Sequence, residues 1–322
     1  LATGARPREM AFMPIDGERV ISSRQALTLA KLPETMIVVG SGAIGSEFAW
    51  FYAALGVKVT VVEYMPRMMP LEDEEVSKAM ERAFRKLRAA VMTSTTVKSV
   101  RVNAEGRCEV EIEGKKGPET LTADIVLSAV GIKSNIEGIG LEELGIAVER
   151  DKVLVDQFYR TNVPGVYAIG DVIGPRRIML AHMAVAEAHT AVHNILHPED
   201  RKAQRYDVVP SAIFTAPEIG DVGLSEAQAK QQGFAVKTSV FQFRELGKAQ
   251  AMGELAGLFK LVVEEGSGKL LGAHIAGAHA SDLIAEATLA IQRGCTARDL
   301  FETIHAHPTL SEGIYEAAGS LV

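Results

Sequence analysis

The 322-residue sequence predicts an α/β unit built on a parallel sheet, followed by a smaller α+β unit of antiparallel strands. Three observations predict this. A β-branched run, Met36-Ile37-Val38-Val39, leads into three spaced glycines, a helical stretch and a second β-branched run that ends at Glu63. From Tyr206 onward, short strand-like runs alternate with turn residues and are interrupted by two helices. Residues 141–205 follow neither pattern and are dominated by one long apolar helix. The expected divisions are 1–19, 20–140, 141–205 and 206–322.

In chain order, Leu1 to Pro7 reads as the end of a strand entering a turn. A domain rarely opens at its own strand end and the first residue is not Met, so the chain is expected to be a fragment or to have lost its start. Residues 8–35 read as loop and short helix. Ser22-Ser23-Arg24-Gln25 resembles a capping box ahead of Ala26-Leu27, and Pro33 precedes the next strand.

The strand from Met36 then meets Gly40, Gly42 and Gly45, spaced Gly-x-Gly-x-x-Gly. Gly40 permits the tight turn, Gly42 lets a pyrophosphate approach the backbone, and Gly45 lets the next helix pack on the strand. That helix, 43–55, would aim its N-terminal N–H groups at phosphates, with Gly56 as its stop. The second strand, Val57 to Val62, delivers Glu63 to where a carboxylate grips adenine-ribose hydroxyls. The order strand, glycines, helix, strand, acid marks a Rossmann-type dinucleotide unit. Glu63 favours NAD over NADP, because a carboxylate repels a 2′-phosphate. Arg67 reads as a solvated loop cation.

Pro66 and Pro70 mark a loop, after which Asp73 to Arg88 reads as an amphipathic helix with Val76, Met80, Ala83, Phe84 and Leu87 inward. A β-meander is expected over 97–121, with strands at 97–102, 108–113 and 119–121. Asp124 to Val130 is a buried strand ending at Gly131, placed for close backbone approach to the dinucleotide at a strand carboxyl end. Val166 to Gly170 reads as a strand ending in Gly-Asp, where Asp171 accepts hydrogen bonds from a polyol or caps the next turn. Ile178 to Leu196 reads as a helix. Its histidines at 182, 189, 193 and 197 lack cysteine and acidic companions, so no metal site is expected. Later strands are expected at 211–214, 221–224, 237–243, 258–264 and 271–276. Helices are expected at 225–232 and 281–293, with a terminal helix after Pro308 and a hairpin turn at Gly266-Ser267-Gly268.

Composition narrows the partners. Lys and Arg number 34 against 41 Asp and Glu, a net charge of −7, so neither nucleic acid nor an anionic membrane is expected as partner. No apolar run reaches the ~20 residues of a transmembrane span. Cys108 and Cys295 sit far apart in dissimilar contexts and read as free thiols of a cytoplasmic chain.

At this point the residues resemble the flavoprotein pyridine-nucleotide disulfide oxidoreductases, in particular the branch that reoxidises dihydrolipoyl groups. Six segments in family order carry the resemblance over essentially the whole chain. They are Leu1 to Pro7; Gly40 to Glu63; Ala129 to Asn135; Thr161 to Asp171; Met179-Leu180-Ala181-His182; and His305-Ala306-His307-Pro308-Thr309-Leu310-Ser311-Glu312. The third departs from the family's Gly-Arg-x-Pro-Asn loop at Lys133 and Ser134. Residues 1–19 and 141–205 resemble the later half of a split FAD domain with its linker, 20–140 the NAD-binding domain and 206–322 the interface domain. The family's first Gly-rich FAD unit and its Cys-x4-Cys redox pair are not in this sequence, so the chain alone is expected to be inactive and without bound flavin.

The resemblance implies specific roles. His307 would be the acid/base for the dithiol, supplied across a homodimer, with Glu312 orienting it; Thr309 and Glu312 also form a capping-box pattern. His305 would be structural. Glu47 would reach toward the nicotinamide, and the backbone of Val97 would meet the adenine. Asp171 would hold the flavin's ribityl and pyrophosphate region, with Met179 to His182 placing a helix N-terminus near the flavin ring. The implied cofactors are NAD, and FAD in the intact enzyme. The implied partner is the lipoyl domain of a 2-oxo acid dehydrogenase or glycine cleavage complex. The missing Cys-Cys end disfavours mercuric reductase, and Glu63 disfavours glutathione reductase. A soluble transhydrogenase and a non-catalytic NAD-binding, dimerising module stay open.

Overall fold

The computed structural model describes residues 1–174 and 178–322. The chain packs as two units, residues 1–8 with 131–209 and residues 9–130 with 210–322.

In the larger unit, five parallel strands lie side by side in the order Val20–Ile21, Ile125–Ser128, Thr35–Val39, Lys58–Val62, Ala90–Met92. Thr35–Val39 is central and pairs along its length with Lys58–Val62, Val39 opposite Val62. Alternation decides its two faces. Met36 and Val38 point into a core with Ala49 and Tyr52 of the helix Ala43–Ala54 and Met80 and Phe84 of the helix Glu74–Lys86. Ile37 and Val39 point the other way, into Val97, Val100, Cys108, Val110 and Ile112 of an antiparallel meander. The meander strands, Thr96–Val102, Cys108–Gly114 and Gly117–Ala123, form where the pattern predicts them. A strand buried on both faces has no polar face to show, which is why it reads as an unbroken apolar run.

Residues 211–277 form a five-stranded antiparallel sheet, in the order Ser211–Ile213, Glu218–Gly223, Leu270–Gly277, Leu258–Glu264, Val236–Gln242. Helices Ala280–Arg293 and Glu312–Gly319 pack on it. The helix Glu74–Lys86 shares its core with Ile213, Ile219, Leu258 and Ala276, so the parallel and antiparallel sheets close over one apolar interior.

Charge is buried at this junction. Asp221, His274 and Lys260 lie opposite one another across three strands. Lys260 Nζ, with its side chain 4% exposed, donates to Asp73 at 2.9 Å and Glu226 at 2.8 Å. Asp73 is also the N-cap of Glu74–Lys86 and accepts from the Glu75 N–H. Burial pushes the Asp73 carboxyl up, but Lys260, His274 and the Glu75 N–H outweigh it and hold it below the usual range. Burial and the neighbouring Asp221 push the Glu72 carboxyl well above the usual carboxylate range, and the charge of Arg67 only partly opposes them.

Several elements differ from expectation. Val166–Ile169 forms no continuous strand: its backbone bonds are shared among Leu1, Tyr159, Thr161 and Val163, and Gly170–Val172 is a 3-10 turn. The helix expected from Ile178 begins at Ala181, capped by Leu180. Its buried side carries Glu187, Thr190 and Asn194. Loops on either side lack ladder partners, and these side chains supply them: Glu187 accepts from the Gly170 N–H at 2.6 Å, and Asn194 bonds Lys202. Thr309 is not the N-cap of the last helix, which starts at Glu312 after Ser311; its hydroxyl donates to Ala306 O instead. Strand Ala90–Met92 and helices Gly247–Met252 and Ala297–Glu302 carried no expectation, being too short for a clear period.

The Glu72 carboxyl sets a pH dependence. Its native pKa is raised, so its contribution to stability is present below the ordinary carboxylate range and is lost as pH rises toward the native value. Glu72→Gln should flatten the loss of stability from about pH 5 to pH 8 by on the order of 1–3 kcal/mol. Urea unfolding of both proteins at each pH measures this; parallel pH curves would refute it.

Candidate functional site

The carboxyl ends of the central strands form a cleft of about 380 Å3, lined by Gly40, Ser41, Gly42, Glu63 and Val97, with Phe12, Tyr64, Thr95 and Ala129 around it. The three glycines do three different things. Gly40 has φ +98°, and a Cβ there would lie 2.5 Å from Ala129 O. A Cβ on Gly45 would lie 2.0 Å from Gly40 O, so only glycine lets the helix Ala43–Ala54 rest on the strand. A Cβ on Gly42 would meet nothing within 4 Å. Gly42 is the helix N-cap and no side chain caps it, so the first N–H groups face the cleft. This is a cradle for a bulky anion held by backbone.

Glu63 binds the loop from below. It is 6% exposed; one carboxylate oxygen accepts from Ser41 N and Ser41 Oγ, both at 2.7 Å, and the other from Met65 N at 2.7 Å. Ser41 Oγ in turn accepts from Met69 N at 3.1 Å. Ser41 thus joins the glycine turn, the end of the second strand and the following loop. The motif treats it as an arbitrary residue, and no sequence signal singles it out. Phe12 and Thr95 also escape sequence reasoning, because they come from distant segments. Glu47, on the same helix, accepts from the Phe214 N–H at 2.8 Å beside an apolar pocket of Phe48, Trp50 and Phe51. Burial pushes its carboxyl up, with the Phe214 N–H partly opposing. Gly131 lies in the smaller unit, at φ +104°, with open space beyond its Cα.

In that smaller unit, Asp171 sits in the 3-10 turn next to Met179. Lys152 Nζ ties them together, donating to Asp171 O at 3.0 Å and Ser134 Oγ at 2.7 Å and lying 3.1 Å from Met179 Sδ. Ala181 and His182 open the following helix, and no side chain caps its N-terminus at Leu180.

The two histidines near the C-terminus divide sharply. The side chain of His305 is 6% exposed and held on both nitrogens, by Glu286 at 2.9 Å and Thr303 O at 2.9 Å. That of His307 is 78% exposed, with Nδ1 2.8 Å from Glu312 and, among the described residues, no hydrogen-bond partner on Nε2. The other Glu312 oxygen accepts from Thr309 N at 2.8 Å. That N–H, and then His307, hold the Glu312 carboxyl below its usual range. An ionised Glu312 fixes the His307 tautomer with the proton on Nδ1 and the lone pair on outward-facing Nε2. The arrangement presents a proton acceptor to something outside this chain's own surface.

Among the described residues no group of three His, Cys, Asp or Glu could hold a metal ion. His193, from the histidine stripe, is spent on Asp200 O at 2.7 Å. No helix among them is long and apolar enough to cross a membrane.

The sequence pattern described as pyridine nucleotide-disulphide oxidoreductase covers residues 1–188, and that of the dimerisation domain of the same family covers 209–318. The chain is 44% identical over 319 residues to a dihydrolipoyl dehydrogenase of Chlorobaculum tepidum, spanning 99% of this chain and 67% of that one. It is 40% identical over 324 residues to a dihydrolipoyl dehydrogenase of Bacillus subtilis, with 99% and 67% covered. The crystal structure of LpdA from Mycobacterium tuberculosis matches with a TM-score of 0.90 at 32% identity, over 100% of this chain and 69% of that one. The glycine cradle and the outward-facing histidine therefore stand on a shared scaffold, and the chain belongs to the pyridine nucleotide-disulphide oxidoreductase family.

Proposed function

We propose that the chain works in dihydrolipoyl dehydrogenation, holding NAD at the glycine loop and acting on a dithiol through His307. The observation that carries this reading is the pairing of His307 Nδ1 with Glu312 at 2.8 Å while Nε2 is left exposed. An imidazole so held takes a proton from a thiol and returns it, and an exposed one serves a site completed by another chain. A dimerisation domain over 209–318 supports a two-fold homodimer as the means of supplying it. The lipoyl domain of a 2-oxo acid dehydrogenase or glycine cleavage complex is the natural source of the dithiol.

The NAD reading rests on the fit of the cleft. Backbone N–H groups at Gly42 would meet the pyrophosphate, with the Glu63 carboxylate on the ribose side. The backbone of Val97 would border the adenine, and Glu47 would serve the nicotinamide half. FAD, when bound, supplies the electron relay between dithiol and NAD. Asp171 would hold its polyol chain: among the described residues the Asp171 carboxylate has no hydrogen-bond partner. Met179, Leu180, Ala181 and His182 would present the uncapped helix N-terminus to its ring.

The reading predicts the following. Gly42→Ala and Gly45→Ala are the same chemical change with opposite results. The first should keep wild-type stability in urea and weaken NAD binding by about tenfold or more. The second should lose roughly 1–3 kcal/mol of stability through overpacking. Equal stability loss in both would break the assignment of their roles. NAD should bind at least about tenfold tighter than NADP, the cost of a 2′-phosphate near Glu63; calorimetric titration of both cofactors decides it, and a preference for NADP refutes it. In the flavin-loaded dimer, His307→Gln should slow oxidation of dihydrolipoamide by about 10²–10⁴-fold with NAD affinity unchanged. A loss of NAD affinity instead would place His307 in the fold and not in the chemistry.

A further inference from the structure

The unit formed by 9–130 and 210–322 carries a second cleft, of about 610 Å3, that shares no residue with the glycine-loop cleft. The helix Glu74–Lys86 forms its floor with Ala79 and Ala83, small residues that leave room above them. Trp50, Leu87, Pro217 and Leu255 give it apolar walls. Three cations line it: Arg82 and Lys86, one helical turn apart, and Arg244 from the far side.

These cations are unusual for this chain. Its net charge is −7, and several surface cations have carboxylate partners: Lys78 pairs with Glu74, Lys98 with Glu113 and Lys230 with Glu226. Arg82, Lys86 and Arg244 are exposed, and among the described residues their side chains form no ion pair or hydrogen bond. Two acids border the cleft. Glu218 is turned to Ser281, accepting from its hydroxyl at 2.8 Å and its N–H at 3.3 Å; the second acid among the lining residues is Glu254. Arg85 and Arg88 add positive charge at the same helix end.

We propose that this cleft is a second ligand site, taking a small molecule that carries a polyphosphate group. Guanidinium forks match phosphate oxygens in pairs, and three converging cations call for more than one negative charge. The volume lies within the ~300–1,000 Å3 of small-molecule sites, and the cations converge in a concavity, which favours a compact anion over an extended acidic peptide.

Trp50 is the single tryptophan of the sequence and lines this cleft, so its emission reports binding directly. The probe is inorganic tripolyphosphate, followed by Trp50 fluorescence and calorimetry. Saturable binding that weakens with added salt is expected. The R82Q/R244Q double variant should bind about tenfold or more weakly, with its circular dichroism and melting unchanged; K86Q provides an independent second variant with the same expectation. Saturating NAD should leave the affinity unaltered. Failure to saturate, wild-type affinity in both variants, or displacement by NAD (which would place the phosphates at the glycine loop) each overturns the proposal. Tighter binding of tetraglutamate than of tripolyphosphate also overturns it, in favour of a protein partner.

Discussion

The close approach of Gly45 to the carbonyl of Gly40 governs the glycine-loop cleft. With no side chain between them, the helix Ala43–Ala54 lies directly on the central strand and its N-terminus stands at the strand's carboxyl end. Everything at the cleft depends on that placement. The uncapped N–H groups face outward only because the turn is this tight. Ser41, pulled under the turn, reaches Glu63, and Glu63 spans from the second strand to the Met65 N–H. One carboxylate therefore stiffens the loop while it lines the cleft. An anion site built of backbone is specific only if the backbone is held still, and Glu63 with Ser41 holds it.

A second constraint acts where the parallel and antiparallel sheets meet. Lys260, Asp73 and Glu226 neutralise one another in the interior, and Asp73 also caps the helix that both sheets share. Removing Lys260 would leave Asp73 buried without its cation, a costlier state than an apolar junction. Burial raises both the Glu72 and the Asp221 carboxyl, and Arg67 and His274 only partly oppose it. The junction thus combines a matched ion group, insensitive to moderate pH, with an unmatched pair that is not. The helix bearing these groups also carries Arg82 and Lys86 at its other end, so one element serves both the buried junction and the cationic cleft.

The paired histidines show how local packing assigns chemistry. His305 and His307 are two residues apart, yet their surroundings are opposite. One is drawn inward to Glu286 and the other is left on the surface with Glu312 behind it. The turn before Glu312 uses the Thr309 N–H to hold the second carboxylate oxygen, so the acid is fixed from both sides. Of the helix-start pattern only the Thr309 N–H bond to Glu312 forms, and it steadies the carboxylate that His307 meets.

The sequence by itself determined the elements whose pattern is local. The nucleotide strands show as apolar runs, the glycine motif fixes turn and helix start, the meander follows from alternation, and the His-Ala-His-Pro-Thr segment stands out by residue type. It did not determine Val166–Ile169, whose β-like composition promises a strand but whose hydrogen bonds are divided between Leu1 and the 159–163 turn. Nor did it reveal the inward polar side of the helix Ala181–Leu196, since Glu187 and Asn194 are inside only because unladdered backbone lies against them. Ser41, Phe12 and the Asp221-His274-Lys260 row are invisible for the same reason. Each acquires its role from a residue far along the chain, and only the tertiary structure brings those partners within hydrogen-bonding or van der Waals range.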